Sequence, residues 1–275
     1  MRRLSISLAW EQTKSCLTAD GRLLATVAAA FVALPLVVTG VLMPDGFSRS
    51  SADPLWSGLL LLFVALMLLT AQLALVRLAL SPSVSVGEAL AHSVRRLPYY
   101  LLAWMVIGIG FIIIVTVAAA ILIASGVQVS DQQIPVSPAT WAVMIALVAI
   151  YCVIWVRVIA MAAPIASAES VGPVALIRKS WDLTVGHFWR LLGFALLFFA
   201  GGAIAVWAVA AVTALLVRVL FGAPDPLSVS ALILAIFNAI ANAAVVTVLT
   251  VMLARIYVQL SGRGSIDVSV PSSGT

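Results

Sequence analysis

Charge is scarce in this chain of 275 residues. Charged residues make up 9% of it, and only two histidines, two lysines and two cysteines are present. A soluble globular domain carries about 25% charged residues, so that class is excluded. Cys16 and Cys152 form no CxxC pair and no zinc-type spacing, and we interpret both as ordinary thiols. Neither a G-x-x-x-x-G-K-[ST] nucleotide-binding loop nor a G-x-S-x-G nucleophile motif occurs.

Apolar sequence is what the chain has in abundance, with 64% hydrophobic residues and a mean hydropathy of +1.20. A helix needs about 20 apolar residues to cross the hydrocarbon of a bilayer. Six segments qualify, at approximately 23–43, 55–77, 101–124, 139–161, 191–216 and 229–257. We therefore predict an all-α, polytopic protein with one membrane domain, residues 1–262. The Gly- and Ser-rich remainder, 263–275, is predicted to be a disordered cytoplasmic tail.

Two spans are preceded by the same tripeptide, Asp-Pro-Leu, at 53–55 and 225–227. An aspartate can accept hydrogen bonds from the free amides of a helix start, and proline at the first helical position loses no hydrogen bond. We expect the second and sixth spans to begin there.

The positions of Lys and Arg predict the orientation, because the cytoplasmic side of a membrane protein carries the excess. With the N-terminus inside, 13 of the 15 basic residues lie on the inner side, and only Arg49 and Arg218 lie outside. An even number of spans returns the C-terminus to the same side. We predict a multi-pass protein of a bacterial inner membrane with both termini in the cytoplasm.

Self-similar junctions precede the first, third and fifth spans: KSCLTADGRLLA (14–25), HSVRRLPYYLLA (92–103) and KSWDLTVGHFWRLLGF (179–194). Each has basic residues, a helix breaker (Gly21, Pro98 or Gly186) and a Leu-Leu pair. The inner ends of the other spans carry LVRL, WVRV and ARIY, each with one arginine. This predicts three repeated units, about 1–80, 81–165 and 166–262, each an interfacial helix plus a two-span hairpin.

The third junction has an amphipathic pattern. Taken as one helix, it places Val174, Ile177, Trp181, Val185, Phe188 and Leu192 on a continuous face. Lys179, Asp182 and Arg190 lie away from that face. Aromatic and basic residues on opposite sides favour the headgroup boundary, so Trp181 and Trp189 are predicted interfacial anchors. His187 and Asp182 are five residues apart, which is no same-face spacing, and we expect no catalytic or metal site there.

Ionisable groups within or at the ends of membrane spans are candidate functional residues. Arg77, Arg157 and Arg255 lie at inner span ends, where they could snorkel to the headgroups or together bind lipid phosphate. The full set of predicted headgroup-binding residues is Arg77, Arg95, Arg96, Arg157, Arg178, Lys179, Arg190 and Arg255. The second histidine, His92, is expected in a solvated junction.

The intramembrane polar pair is Asn238 and Asn242, at i and i+4 in the sixth span. Asparagine in hydrocarbon seeks a partner, so the pair is expected to bond this helix to a neighbour; a substrate or ion pathway is the alternative. No span interior contains an aspartate or glutamate, which leaves a carboxylate relay without a carrier.

The junction GPVALIRKSWDLTVGHFWRLLGF (172–194), with its weaker echo SVGEALAHSVRRLPYYLLAW (85–104), resembles the bacterial membrane-domain family named for glycerophosphoryl diester phosphodiesterases. The resemblance covers the six-span body. In some members this domain is joined to a soluble phosphodiesterase barrel that acts on glycerophosphodiesters. The resemblance implies a stand-alone membrane module here, with no catalytic residue to carry over.

We therefore expect a non-enzymatic membrane protein, without cofactor or metal, that binds lipid headgroups or a membrane or cytosolic protein partner. The alternative is a permease-like transporter of small solutes or lipids. Nucleic acid is not an expected partner, because the basic residues lie beside spans, where they face phospholipid.

Overall fold

The computed structural model describes residues 4–43, 54–81, 84–124, 138–222, 225 and 227–262. Every regular element within these ranges is a helix. The predicted N-cap Asp53, the basic residues Arg2, Arg3, Arg49 and Arg263, and the predicted tail, 263–275, lie outside the described residues.

The helices are numbered here in chain order. They are α1 (Ile6–Leu42), α2 (Pro54–Leu80), α3 (Val86–Ala124), α4 (consecutive segments Pro138–Ile154, Trp155–Ile159 and Ala160–Ala168), α5 (Pro173–Thr184), α6 (Phe188–Phe221) and α7 (Val229–Ser261). All of these except α5 are long and apolar enough to cross a membrane. The all-α prediction with six spans is confirmed.

Short polar side chains fix several helix starts. Ser5 caps α1 by accepting a hydrogen bond from the Leu8 amide at 3.3 Å. At α3, the Ser85 amide donates to Glu88 Oε2 at 3.0 Å while Ser85 Oγ accepts from the Glu88 amide at 3.3 Å, which is a reciprocal capping box. α2 begins at Pro54, as predicted.

The predicted start of the sixth span at Asp225-Pro226 is wrong by three residues, since α7 begins at Val229. Ser228 is the cap: its hydroxyl accepts from the Ala231 amide at 3.1 Å and donates to the Asp225 carbonyl at 2.6 Å. Leu227 has a φ of 61° and does not continue a helix. A serine directly before the apolar run therefore caps the helix in place of the Asp-Pro pair.

Two of the three predicted helix breakers are also wrong. Gly21 lies inside α1 and Pro98 inside α3. A glycine costs a helix only about 1 kcal/mol, and a proline removes one backbone hydrogen bond, which membrane helices tolerate. Gly186 does break the chain between α5 and α6, with a φ of +82°. Among the described residues, a separate amphipathic helix is thus seen only before α6, and the threefold repeat stays a prediction.

Helices α1 and α4 each contain one π-helical segment, Ala29–Ala33 and Trp155–Ile159. The first lies just before Pro35, which has no amide hydrogen for the carbonyl four residues earlier. The second is where α5 docks.

The principal core lies where both ends of the described chain meet. Its buried residues come mainly from 73–79 of α2, 156–166 of α4 and 251–257 of α7. The Ser5 amide donates to Gln259 Oε1 at 3.1 Å, which ties the start of α1 to the end of α7. We call this region, with the first turns of α3, α5 and the start of α6, the packed end.

At the opposite end the helices make fewer buried contacts. A small cluster of Met43, Leu60 and Val64 lies there, and the Leu227 amide donates to the Val41 carbonyl at 3.1 Å. Close packing of α1 on α7 depends on Gly40, because a Cβ there would lie 2.8 Å from the Cβ of Ala235. The most apolar window of α3 has no residue buried inside the protein, so it faces outward.

Candidate functional site

Helix α5 docks on the π-helical segment of α4 through two hydroxyl groups. Ser180 Oγ donates to the Val158 carbonyl at 2.7 Å, and Thr184 Oγ1 contacts the Arg157 carbonyl at 3.4 Å. Thr184 Oγ1 lies closer to carbonyls of its own helix, those of Ser180 at 3.1 Å and Trp181 at 2.9 Å, so Ser180 makes the stronger bond between the helices. This bond gives the buried Ser180 hydroxyl a partner, which would be costly to lose.

The face that α5 buries is not the apolar face predicted from the sequence. Leu176, Ser180 and Thr184 are buried, whereas Val174 is 72% exposed and Trp181 44% exposed. The predicted apolar face also does not continue past Thr184, because α5 ends there. Small hydroxyl residues pack closely against α4, and the large apolar residues are left exposed.

Arg157 is held by two aromatic rings at this junction. Its Cζ atom lies 5.1 Å from the centre of the Trp181 ring and 5.2 Å from that of Phe188. Such cation–π contacts contribute about 0.5–2 kcal/mol each. Its Nη1 atom is buried and has no hydrogen-bond partner among the described residues. The guanidinium is oriented by aromatic faces and retains an unused donor.

Glu169, at the end of α4, joins three helices at the packed end. It forms an ion pair with Lys179 of α5, and its Oε1 accepts a hydrogen bond from the Tyr257 hydroxyl of α7 at 3.1 Å. The charge of Lys179 is thus engaged by a carboxylate, whereas Arg178 beside it is exposed. Sequence reasoning missed Glu169 and Tyr257; the available signal was a carboxylate between the fourth span and the amphipathic helix.

The start of α6 is tied to the start of the chain. Arg190 Nη1 donates to the Leu4 carbonyl at 3.1 Å. On α7, Arg255 Nε and Gln259 Nε2 are buried without a hydrogen-bond partner in the part of the chain that the structure describes. Trp189, a predicted interfacial anchor, is 79% exposed.

The remaining predicted basic residues surround His92 on α3. Its Nε2 lies 3.0 Å from the Ser167 carbonyl of α4, and the charges of Arg77, Arg95 and Arg96 act on it. The sequence predicted a solvated position for His92. The structure instead places it half-buried against α4.

All eight predicted headgroup-binding residues lie on segments that meet at the packed end, while Arg218 lies in the last turn of α6 at the opposite end. We therefore also call the packed end the basic end.

The contacts of the three span-end arginines differ: Arg157 lies between aromatic rings, Arg77 beside His92, and Arg255 has a buried Nε. A high density of guanidinium donors suits an anion. No group of three metal-ligating side chains lies among the described residues.

Asn238 and Asn242 bond each other. Asn242 Nδ2 donates to Asn238 Oδ1 at 2.8 Å and to its carbonyl at 2.9 Å. The expected bond to a neighbouring helix is replaced by this contact within α7, because the i, i+4 spacing brings the two amides together. A pathway at this pair stays a prediction.

Comparison with known proteins gives one match. The model of a domain of unknown function, DUF7847, matches residues 4–260. No curated protein and no solved structure matches the chain. Since the match extends over nearly all 275 residues, the chain belongs to the DUF7847 family.

Proposed function

We propose that this protein is a non-enzymatic, multi-pass protein of a bacterial inner membrane whose basic end faces the cytoplasm and binds anionic phospholipid headgroups. The observation that carries the proposal is the environment of Arg157. Two aromatic rings hold its guanidinium, and the described residues leave its buried Nη1 without a partner.

A phosphate is the ligand that best suits this group. A guanidinium presents a planar fork of N–H donors that matches phosphate oxygens, and such charge-assisted hydrogen bonds are about twice as strong as neutral ones. Trp181 is 44% exposed and belongs to the residue types that favour the headgroup boundary. Arg157 therefore combines an anion-binding group with an aromatic residue suited to the depth at which lipid phosphates lie.

The distribution of charge supports the proposed orientation. Eight basic residues converge on the basic end, and the cytoplasmic leaflet carries anionic lipid that attracts each Lys or Arg by about 1 kcal/mol. The exposed Arg95 and Arg178 extend the surface available to headgroups. A protein partner at the same face is the competing occupant, and the experiment below separates it from lipid.

We also keep, as part of the proposal, a relationship to the membrane domains named for glycerophosphoryl diester phosphodiesterases. It rests on the junction 172–194 and on the six-span, all-helical body. On this proposal the protein handles lipid headgroups by binding them, without a hydrolytic site of its own.

The test compares lipid retention in variants. The protein is reconstituted in nanodiscs of equal phosphatidylglycerol and phosphatidylcholine, released into the gas phase, and its bound lipids are measured by native mass spectrometry. We expect the wild type to retain phosphatidylglycerol preferentially. Replacing Arg77, Arg157 and Arg255 by Gln should reduce that retention about a hundredfold, since three charges of about 1 kcal/mol each are removed.

The matched control is Arg218→Gln, an exposed arginine at the opposite end, which should leave retention unchanged. Equal loss in the control and in the triple variant would show that charge alone, and not the basic end, governs retention. A co-purifying protein lost from the triple variant, with lipid retention unchanged, would replace lipid by a protein partner.

A further inference from the structure

A groove of about 690 Å³ runs between α1, α6 and α7, beginning at the basic end. Its walls are apolar except for Ser7. Residues that define it are Trp10, Phe194, Phe198, Gly201, Val245 and Met252.

Two consecutive glycines on α6 keep the groove open. A Cβ at Gly201 would meet nothing within 4 Å, and one at Gly202 would lie 3.1 Å from Val245 Cγ1. Any larger side chain at these positions would enter the space between α6 and α7. From Phe194 to Gly202 the groove follows α6 for about 12 Å, at 1.5 Å per residue, which is long enough for a substantial part of an acyl chain.

Arg190 lies at the mouth of the groove. It is four residues before Phe194 on α6, and residues four apart share a helix face. Its Nη1 donates to the Leu4 carbonyl, and Ile6 and Ser7, two and three residues further along the chain, line the groove. Arg190 is exposed, so its other N–H groups are accessible at the point where the apolar groove opens.

The occupant follows from this pairing of an apolar groove with a cation at its mouth. Helices α1, α6 and α7 are long and apolar enough to span the membrane, so the molecules beside them are lipids. A lipid without a phosphate would fill the groove without using Arg190, and the cationic headgroup of a zwitterionic phospholipid would offset the attraction of its phosphate to the guanidinium. An anionic phospholipid matches both parts: its chain fits the groove and its uncompensated phosphate meets the guanidinium.

We propose that this groove holds one acyl chain of an anionic phospholipid whose phosphate pairs with Arg190. The proposal rests on the proposed function, which it deepens by naming a specific lipid site. It also gives Trp10, 42% exposed on the groove wall, a position beside the bound chain near the headgroup boundary.

The experiment uses phosphatidylglycerol with a photoactivatable diazirine in one acyl chain, added to phosphatidylcholine nanodiscs that contain the full chain. After illumination, crosslinked peptides are identified by mass spectrometry. We expect crosslinks on the groove residues Phe198 and Met252 in the wild type. Gly201→Leu should reduce them about fivefold by filling the groove, and Arg190→Gln should reduce them by a similar factor through loss of one phosphate contact.

Matched controls are available on the same kinds of helix surface. Gly110→Leu introduces the same side chain where a Cβ also meets nothing within 4 Å, and Arg218→Gln removes an exposed arginine from the far end of α6. Neither should change the crosslinks. Because the wild-type crosslink pattern needs no substitution, it tests the proposal even if Gly201→Leu does not fold.

The outcomes separate this proposal from the function on which it rests. One outcome is that crosslinks spread over the outer faces of α3 and α6 while phosphatidylglycerol retention still depends on Arg77, Arg157 and Arg255. This outcome would overturn the lipid site proposed in the groove and leave the proposed function standing. Equal groove labelling by a phosphatidylcholine probe, unaffected by Arg190→Gln, would overturn the anionic occupant. If the wild type showed no preference for phosphatidylglycerol, both the groove site and the proposed function would be overturned.

Discussion

At the end of the bundle where the described chain begins and ends, α2, α4 and α7 bury a continuous core. Hydrogen bonds that involve side chains join Ser5 to α7, α3 and α5 to α4, and α6 to Leu4. At the opposite end a three-residue cluster and the close contact at Gly40 are among the contacts that hold α1 against its neighbours. The polar first part of α1, the polar helix α5 and these hydrogen bonds between helices all lie at the first end.

This contrast fits the physics of helix packing in lipid. Lipid tails are as apolar as leucine, so apolar side chains gain little by leaving them, and packing relies on small residues and hydrogen bonds between helices. Residues 160–167 of α4 are all buried and include four alanines. Close helix packing and hydrogen bonds between helices are therefore concentrated at the end that carries the basic residues.

The largest predicted effect comes from a cavity at the packed end. Ile165 is 0% exposed, whereas Ile123, near the end of α3, is 62% exposed. Ile165→Ala should lower the free energy of unfolding by about 2–4 kcal/mol, and Ile123→Ala should change it by less than about 0.5 kcal/mol. Equilibrium unfolding in mixed micelles with increasing dodecyl sulfate measures both; similar values for the two would remove the contrast between the ends.

Glu169→Gln should have the next largest effect, about 2 kcal/mol, because it breaks the ion pair to Lys179 in a half-buried site. The control is Glu11→Gln, which breaks the exposed pair between Glu11 and Lys14 and should cost about 0–0.5 kcal/mol. The same unfolding assay applies. If added salt weakened the two pairs equally, the Glu169 pair would have to be assigned to the surface.

Ser180→Ala should destabilise the protein by about 1–2 kcal/mol, since the Val158 carbonyl would lose a buried hydrogen bond. Thr116→Val is the control: its hydroxyl donates to the Ile112 carbonyl within the exposed part of α3, and its loss should be almost neutral. Hydrogen exchange of the α5 amides is a second measurement, and it should be faster in Ser180→Ala. Unchanged exchange in Ser180→Ala would show that α5 is held by other contacts.

The smallest effect is expected at the turn between α5 and α6. Gly186 has a φ of +82°, a conformation that strains other residues, so Gly186→Ala should cost about 1 kcal/mol. Gly172→Ala is the control, because Gly172 has a φ of −71°. Thermal unfolding in the same nanodiscs compares them, and an equal effect would argue against strain at Gly186.

The six spans were predictable because each depends only on a local property, an apolar run of sufficient length. That both ends of the described chain lie on the same side was predictable as well, since an even number of spans requires it, and the Ser5 to Gln259 contact agrees. The contact itself was not predicted. Helix boundaries were less predictable. Gly21 and Pro98 weaken a helix locally without ending it, and Ser228 competes successfully with Asp225-Pro226 as a helix cap.

The types and positions of the candidate site residues were predictable from the sequence, but the contacts between them were not. Arg157, Trp181 and Arg190 were identified from their positions at span ends and in an amphipathic segment. The rings around Arg157, the bond from Ser180 to a π-helical carbonyl and the meeting of Glu169 with Tyr257 depend on how separate helices cross. No spacing within the sequence encodes such crossings, so these contacts required the structure.

The central claim is that anionic lipid binds at the basic end and not at the opposite end. Hydrogen–deuterium exchange of the wild type in phosphatidylglycerol nanodiscs, compared with phosphatidylcholine nanodiscs, tests it in both places at once. We predict slower exchange in phosphatidylglycerol for residues 173–190 and no difference for residues 227–232. The same exchange in both lipids at 173–190, or slowing confined to 227–232, would contradict the account.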